Sequence, residues 1–74
     1  MIITVKLFAF FRQDRFKLEE REYPDATLVS DIVASLGIDA DEVGVTMINS
    51  RLCELDTPVK AGDVLAIFPV IGGG

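Results

Sequence analysis

The stretch Gly62-Asp63-Val64-Leu65-Ala66-Ile67-Phe68-Pro69-Val70-Ile71-Gly72-Gly73-Gly74 decides the fold of this chain. Lys60-Ala61-Gly62-Asp63 is a turn signal, and the Val64 to Pro69 segment behind it is an apolar strand without a single charge. A strand that apolar is usually covered on at least one face by helix and flanked by neighbouring strands. The question then becomes which segments upstream supply those neighbours and that helix.

Ile2 to Phe10 alternates two sets, Ile3, Val5, Leu7 and Ala9 against Thr4, Lys6, Phe8 and Phe10, which predicts a strand. Gln13 and Asp14 supply turn chemistry, and Arg15 to Glu22 resumes period two with Phe16 and Leu18 opposing Lys17 and Glu19. The pair reads as an opening hairpin. Pro24 and Asp25 end it, and Thr27 is placed to cap a helix whose apolar stripe is Leu28, Ile32, Val33 and Leu36. Asp31 suits the first turn, and Gly37 stands where a left-handed cap is needed. Val45 to Ile48 reads as a third strand, Asn49-Ser50 as a turn and Arg51 to Leu55 as a short fourth strand. The pattern leaves the faces of Met47 and Ile48 undecided. The order ββαββ plus a last strand predicts an α+β fold, a mixed sheet of four to five strands with one helix across one face.

Composition narrows the function. The 74 residues form one small domain, and their 50% hydrophobic content is enough for a core in a chain that buries only about 60% of its unfolded surface. Seven Lys+Arg against twelve Asp+Glu leave a net charge of −5, which opposes binding to nucleic acid and to anionic membrane. With no His and one Cys, a His-centred triad, His acid/base chemistry, a multi-Cys metal site and an internal disulfide are excluded. The amino-terminal run lacks a basic start and a small-residue cleavage site, and Lys6 and Arg12 interrupt it. These features predict a cytoplasmic protein.

The tail is the unusual part. Behind the apolar strand, Val70 and Ile71 lead into three glycines and a carboxylate that is ionised at neutral pH. Five residues from Val70 reach about 17 Å when extended. Glycine-rich ends are commonly just disordered. A tail without side chains can also enter a narrow channel in a partner, where a bulkier residue at Gly73 or Gly74 would block the approach. Its chemistry is then acyl transfer: the carboxylate accepts no nucleophile until it becomes an anhydride, and adenylation by ATP makes it one. The body of the protein need supply no catalytic side chain.

The same segment resembles the carboxyl end of the MoaD/ThiS family of ubiquitin-like sulfur carriers, with its Gly-Asp turn, its apolar strand carrying Phe and Pro, and its final Gly-Gly. Val5-Lys6-Leu7-Phe8-Ala9 is similar to the family's opening strand, Thr27 to Leu36 to its helix, and Asn49 with Leu52 to its connection between strands three and four. The resemblance implies the β-grasp (ubiquitin-like) fold, in which the first and last strands are central and parallel. It places a β-grasp domain over residues 1–71 and a flexible glycine tail over 72–74. It further implies that Gly74, with Gly73 beside it, is adenylated by an E1-like adenylyltransferase. A sulfur donor protein then converts it to a thiocarboxylate, and a synthase takes that sulfur into a cofactor. On this reading the chain is no enzyme and holds no cofactor, ATP being used by the activating partner.

Phe68-Pro69 and the long first hairpin look like the molybdopterin synthase small subunit, whose tail enters a large subunit. Val70-Ile71 is similar instead to the carrier that serves thiazole synthase in thiamin formation. Molybdopterin, or the related tungsten cofactor, is the favoured destination. The competing class is a ubiquitin-like modifier conjugated through Gly74.

If the helix covers one face of the sheet, Phe8, Phe68 and Leu52 stand on the other, and an exposed apolar patch of this kind marks a partner surface unless loops or a second copy cover it. The expected partner-binding residues are these three, Phe8, Leu52 and Phe68, together with Pro69 and Gly72 of the closing segment. Cys53 has no nearby base or CxxC partner and reads as a small buried hydrophobe. Asp39, Asp41, Glu42 and Gly44 faintly resemble a calcium loop, but Val43 occupies a ligand position and Ser50 replaces the closing Glu, so these acids read as a solvated turn and no metal is expected. Glu19 to Glu22 reads as a charged strand edge that discourages edge-to-edge pairing.

Overall fold

The structure is a computed structural model that describes residues 1–70. Five strands, β1 (Ile2–Leu7), β2 (Leu18–Glu22), β3 (Val43–Ile48), β4 (Arg51–Cys53) and β5 (Val64–Pro69), form one sheet in the order β2-β1-β5-β3-β4. β1 and β5 pair in parallel from Thr4↔Val64 to Leu7↔Ile67, and every other pairing is antiparallel. One helix, α1 (Val29–Ser35), packs on one face. This is the expected α+β, β-grasp arrangement, and the uncharged strand β5 lies at its centre. Among the described residues no helix is long and apolar enough to cross a membrane.

The core follows from the alternation. Ile3, Val5 and Leu7 from β1 and Leu65 and Ile67 from β5 meet Val29, Ile32 and Val33 of α1, all fully buried. Phe11, Ile38 and Val59 close the ends. The buried stripe of α1 begins at Val29, whereas the sequence placed it at Leu28, because Leu28 is the residue that precedes the helix. Thr27 does not cap: its hydroxyl donates to the Pro24 carbonyl at 2.7 Å and closes the preceding turn. The exposed amides of the first turn go elsewhere. Asp31 Oδ2 accepts from the Leu28 N–H at 3.1 Å, and the carbonyls of Thr57 and Leu55 accept from Val29 and Ser30. The segment leading into β5 is thereby fastened to the start of the helix. At the other end Gly37 adopts φ +74°, with Gly37 N–H to Ala34 O and Ile38 N–H to Val33 O, the paired bonds of a left-handed helix stop.

Two expectations about the first hairpin are corrected. β1 stops at Leu7, because Ala9 takes a left-handed φ of 52° and begins a 3₁₀ turn, Ala9–Arg12. That turn drives Phe11 into the core, and Arg12 Nε donates to the Leu7 carbonyl at 2.7 Å as the strand ends. Phe16 and Leu18 do not share a face: Phe16 precedes β2 and packs against the core, while Leu18 pairs with Lys6 and is exposed. β2 is a charged edge strand, as read. Arg21 bridges it to the helix side, lying 5.7 Å over the Phe16 ring and bonding Tyr23 Oη, which in turn meets Ser35 Oγ at 2.9 Å. The bond to Tyr23 raises the guanidinium pKa above its ordinary value.

The Asn49-Ser50 turn forms as expected, both residues having positive φ, the signature of a tight hairpin turn. Asn49 also bolts this hairpin to β5, accepting from the Val64 N–H at 2.9 Å and donating to Asp63 Oδ1 at 3.0 Å. The fourth strand is shorter than read and ends at Cys53.

Candidate functional site

The register decides which side chains face away from α1. Thr46 pairs with Ile67 and Ile48 with Leu65 on the helix side, so Val45 and Met47, opposite Phe68 and Ala66, emerge on the uncovered side. Met47 pairs with Leu52 of β4, which brings Leu52 to the same side at 74% exposure. β1 contributes Lys6, beside Ala66, and the chain just beyond it contributes Phe8. The rings of Phe8 and Phe68 stack at 4.2 Å between centroids with 14° between planes. Arg12 lies over the Phe8 ring, its guanidinium carbon 5.2 Å from the centroid. The result is an apolar surface of Phe8, Phe68, Val45, Met47 and Leu52 with Lys6 and Arg12 at its β1 side.

Of the expected partner-binding residues, the structure brings Phe8, Phe68 and Leu52 onto this one face. Pro69 is the exception and is corrected: it is buried on the helix side, because adjacent residues of a strand point to opposite faces. Its missing N–H is harmless there, since β1 ends at the Leu7↔Ile67 pair and asks for no bond from residue 69. Gly72, Gly73 and Gly74 lie outside the described residues. Val45, Met47 and Arg12 are members of the surface that the sequence reading did not single out. An alternation signal existed for Met47, but both faces of β3 are apolar and the register that orients it is set by β5.

β5 leaves the sheet under close control. The Val70 N–H donates to the Glu42 carbonyl at 2.9 Å, and Gly44 packs against the Pro69 and Val70 backbone. Asp39, the first of the acids with a faint calcium-loop pattern, uses Oδ1 to accept from the Asp41 amide at 3.3 Å and starts the 3₁₀ turn Ala40–Glu42. Among the described residues no group of three His, Cys, Asp or Glu could hold a metal ion. Cys53 is half-buried, with Sγ 3.3 Å from Thr46 Oγ1, whose own proton goes to the Cys53 carbonyl. Every buried side-chain polar atom among the described residues is partnered, so no orphan donor or acceptor marks a ligand cavity inside the domain.

A search of curated proteins finds no match. Among solved structures, the chain is similar to a putative molybdopterin converting factor subunit 1 from Pyrococcus furiosus at 29% identity, covering 96% of this chain and 99% of that one with a TM-score of 0.77. SAMP1 from Haloferax volcanii shares the fold at 22% identity and TM-score 0.78 over 100% of both chains. The fold is shared also with a chain of the complex of subunits 1 and 2 of molybdopterin-converting factor from Helicobacter pylori, at 22% identity and TM-score 0.67 over 100% of both. The model of the ThiS family matches residues 5–74, a span that takes in β1 from Val5 onward, the other four strands, the uncovered face and the final glycines. The chain belongs to the ThiS family, the ubiquitin-like β-grasp group that the opening and closing strands had suggested.

Proposed function

We propose that this chain is a sulfur carrier for molybdopterin, or tungstopterin, cofactor formation, with the carboxylate of Gly74 as the group that reacts. The observation that carries the reading is the family match over residues 5–74, which extends from within β1 to the terminal Gly73-Gly74 pair. The likeness to a putative molybdopterin converting factor subunit 1 supports the destination.

The steps require nothing from the folded body except presentation. A Gly74 carboxylate oxygen attacks the α-phosphorus of ATP on an E1-like adenylyltransferase, and pyrophosphate leaves. Hydrosulfide, or a donor persulfide followed by a thiol reductant, attacks the resulting acyl carbon, and AMP leaves a thiocarboxylate. On the synthase the sulfur displaces an oxygen leaving group from the cofactor precursor, and water cleaves the acyl–sulfur bond to restore the carboxylate. Phe8, Phe68 and Leu52 form the surface that docks on the activating enzyme and on the large subunit. Apolar faces of this kind are what partners bury. That a related subunit 1 forms a complex with its subunit 2 supports this assignment.

Reducing, denaturing mass spectrometry of the protein isolated from its native host tests the reading. A carrier shows one oxygen replaced by sulfur at the terminus, and deletion of Gly74 abolishes that species while leaving thermal unfolding unchanged. Covalent adducts to other proteins through Gly74 identify a ubiquitin-like modifier instead. The absence of both products overturns the proposal.

A further inference from the structure

β3 and β5 keep ideal register except at one point. Val45 pairs with Phe68 and Val43 with Pro69, so Gly44 is the extra residue of a bulge set against the last turn of backbone before the tail. A Cβ built on Gly44 would stand 2.8 Å from the Pro69 carbonyl oxygen, 3.0 Å from its carbon and 3.1 Å from Val70 Cα. All three are backbone atoms, so no side-chain rotation relieves the contact. Gly44 is not among the glycines with positive φ, which makes space, and not torsion, the reason for glycine here. Immediately before the bulge, the Glu42 carbonyl accepts the Val70 N–H. Residues 42–44 therefore hold the exit of β5 from one side.

We infer that Gly44 is a positioning residue: by letting the bulge close on Pro69 and Val70, it sets where the chain leaves the docking face on its way to the reactive carboxylate. This role rests on the function proposed above. An alanine at 44 must widen the 2.8 Å approach to the Pro69 carbonyl oxygen, by 0.2 Å (3.0 − 2.8) at the least and by 0.6 Å (3.4 − 2.8) to reach ordinary contact, and the opening falls at the root of the tail. Four residues beyond Val70 span at most about 14 Å, so a tail drawn out straight inside a partner has no slack with which to absorb that shift. Misplacement of a reacting atom by about 1 Å can lower a rate about a hundredfold. The docking side chains Phe8, Phe68 and Leu52 are untouched by the substitution, so binding and reaction should separate.

The test compares wild type with Gly44→Ala in ATP–pyrophosphate exchange on the purified activating enzyme, alongside amide NMR of the free proteins. The expected result is a KM for the carrier within about twofold of wild type and a kcat lowered about tenfold or more. Chemical-shift changes should be confined to Glu42, the bulge, Val70 and the residues after it. A rise in KM with kcat unchanged assigns Gly44 to docking and overturns the inference, as does an unchanged kcat despite shifted resonances. A variant that fails to fold, or an NMR spectrum with Val70 unmoved, overturns it as well. If the wild-type chain is itself not adenylated, the proposed function fails and takes this role with it, an outcome distinct from all the others.

Discussion

The stacked pair on the uncovered face lends itself to a double-mutant cycle. Phe8 and Phe68 lie nearly parallel at 4.2 Å, a geometry that contributes about 0.5–1.5 kcal/mol beyond the area it buries. Arg12, an exposed cation over the Phe8 ring, adds about 0.5–1 kcal/mol. Phe8→Ala removes both contacts and Phe68→Ala only the first, so Phe8→Ala should be the more destabilising. Neither should reach the roughly 3–5 kcal/mol of a buried Phe→Ala change, since both residues are only half-buried. The coupling between the two, from the single and double variants, should come to about 1 kcal/mol. In a domain of this size that amounts to about 4–8 °C in Tm. With no Trp in the chain, urea unfolding followed by far-ultraviolet circular dichroism at constant m-value is the suitable assay. A coupling below about 0.3 kcal/mol, the additivity expected of independent sites, would refute the stack and with it the proposed docking surface.

Leu52→Asp should leave the urea midpoint nearly unchanged, within about 0.5 kcal/mol, because the side chain is 74% exposed, while weakening affinity for the large subunit about tenfold or more by titration calorimetry. Arg15→Ala should cost about 1–2 kcal/mol, since the guanidinium donates to the carbonyls of Leu36 at 2.9 Å, Gly37 at 3.3 Å and Phe11 at 3.3 Å and so straps the first loop to the end of α1. Arg15→Lys should restore only part of that stability, because an ammonium has no planar fork with which to reach three acceptors.

The fold was legible where periodicity and turn chemistry act locally. The buried set Ile3, Val5 and Leu7, the left-handed stop at Gly37 and the tight turn at Asn49-Ser50 each follow from a few adjacent residues. Errors arose where a partner far along the chain decides. The end of β1 depends on Phe11 finding its place in the core and on Arg12 turning back to the Leu7 carbonyl, neither of which a period-two pattern contains. Thr27 was a sound cap by residue type, but the carbonyls of Leu55 and Thr57 had already met the amides such a cap helps to satisfy. The face bearing Phe8, Phe68 and Leu52 was legible because alternation and one covering helix suffice to place it. Pro69, also expected to bind a partner, turns to the buried side, as alternation from the outward-facing Phe68 requires. Gly44 was noticed for a metal pattern, while its contact with Pro69 and Val70 depends on a register that no local motif encodes.

The adjacency of β1 and β5 has a consequence for biosynthesis. β1 leaves the ribosome before β5 and acquires its hairpin partner β2 early, yet its other edge stays open until β5 arrives to fill the gap between β1 and β3. A nascent chain interrupted before residue 64 would keep two unsatisfied seams and could not set a second ring beside Phe8. Any enzyme that recognises the stacked rings thus encounters only polypeptides whose translation has proceeded through Phe68, so that the act of recognition doubles as an inspection of length.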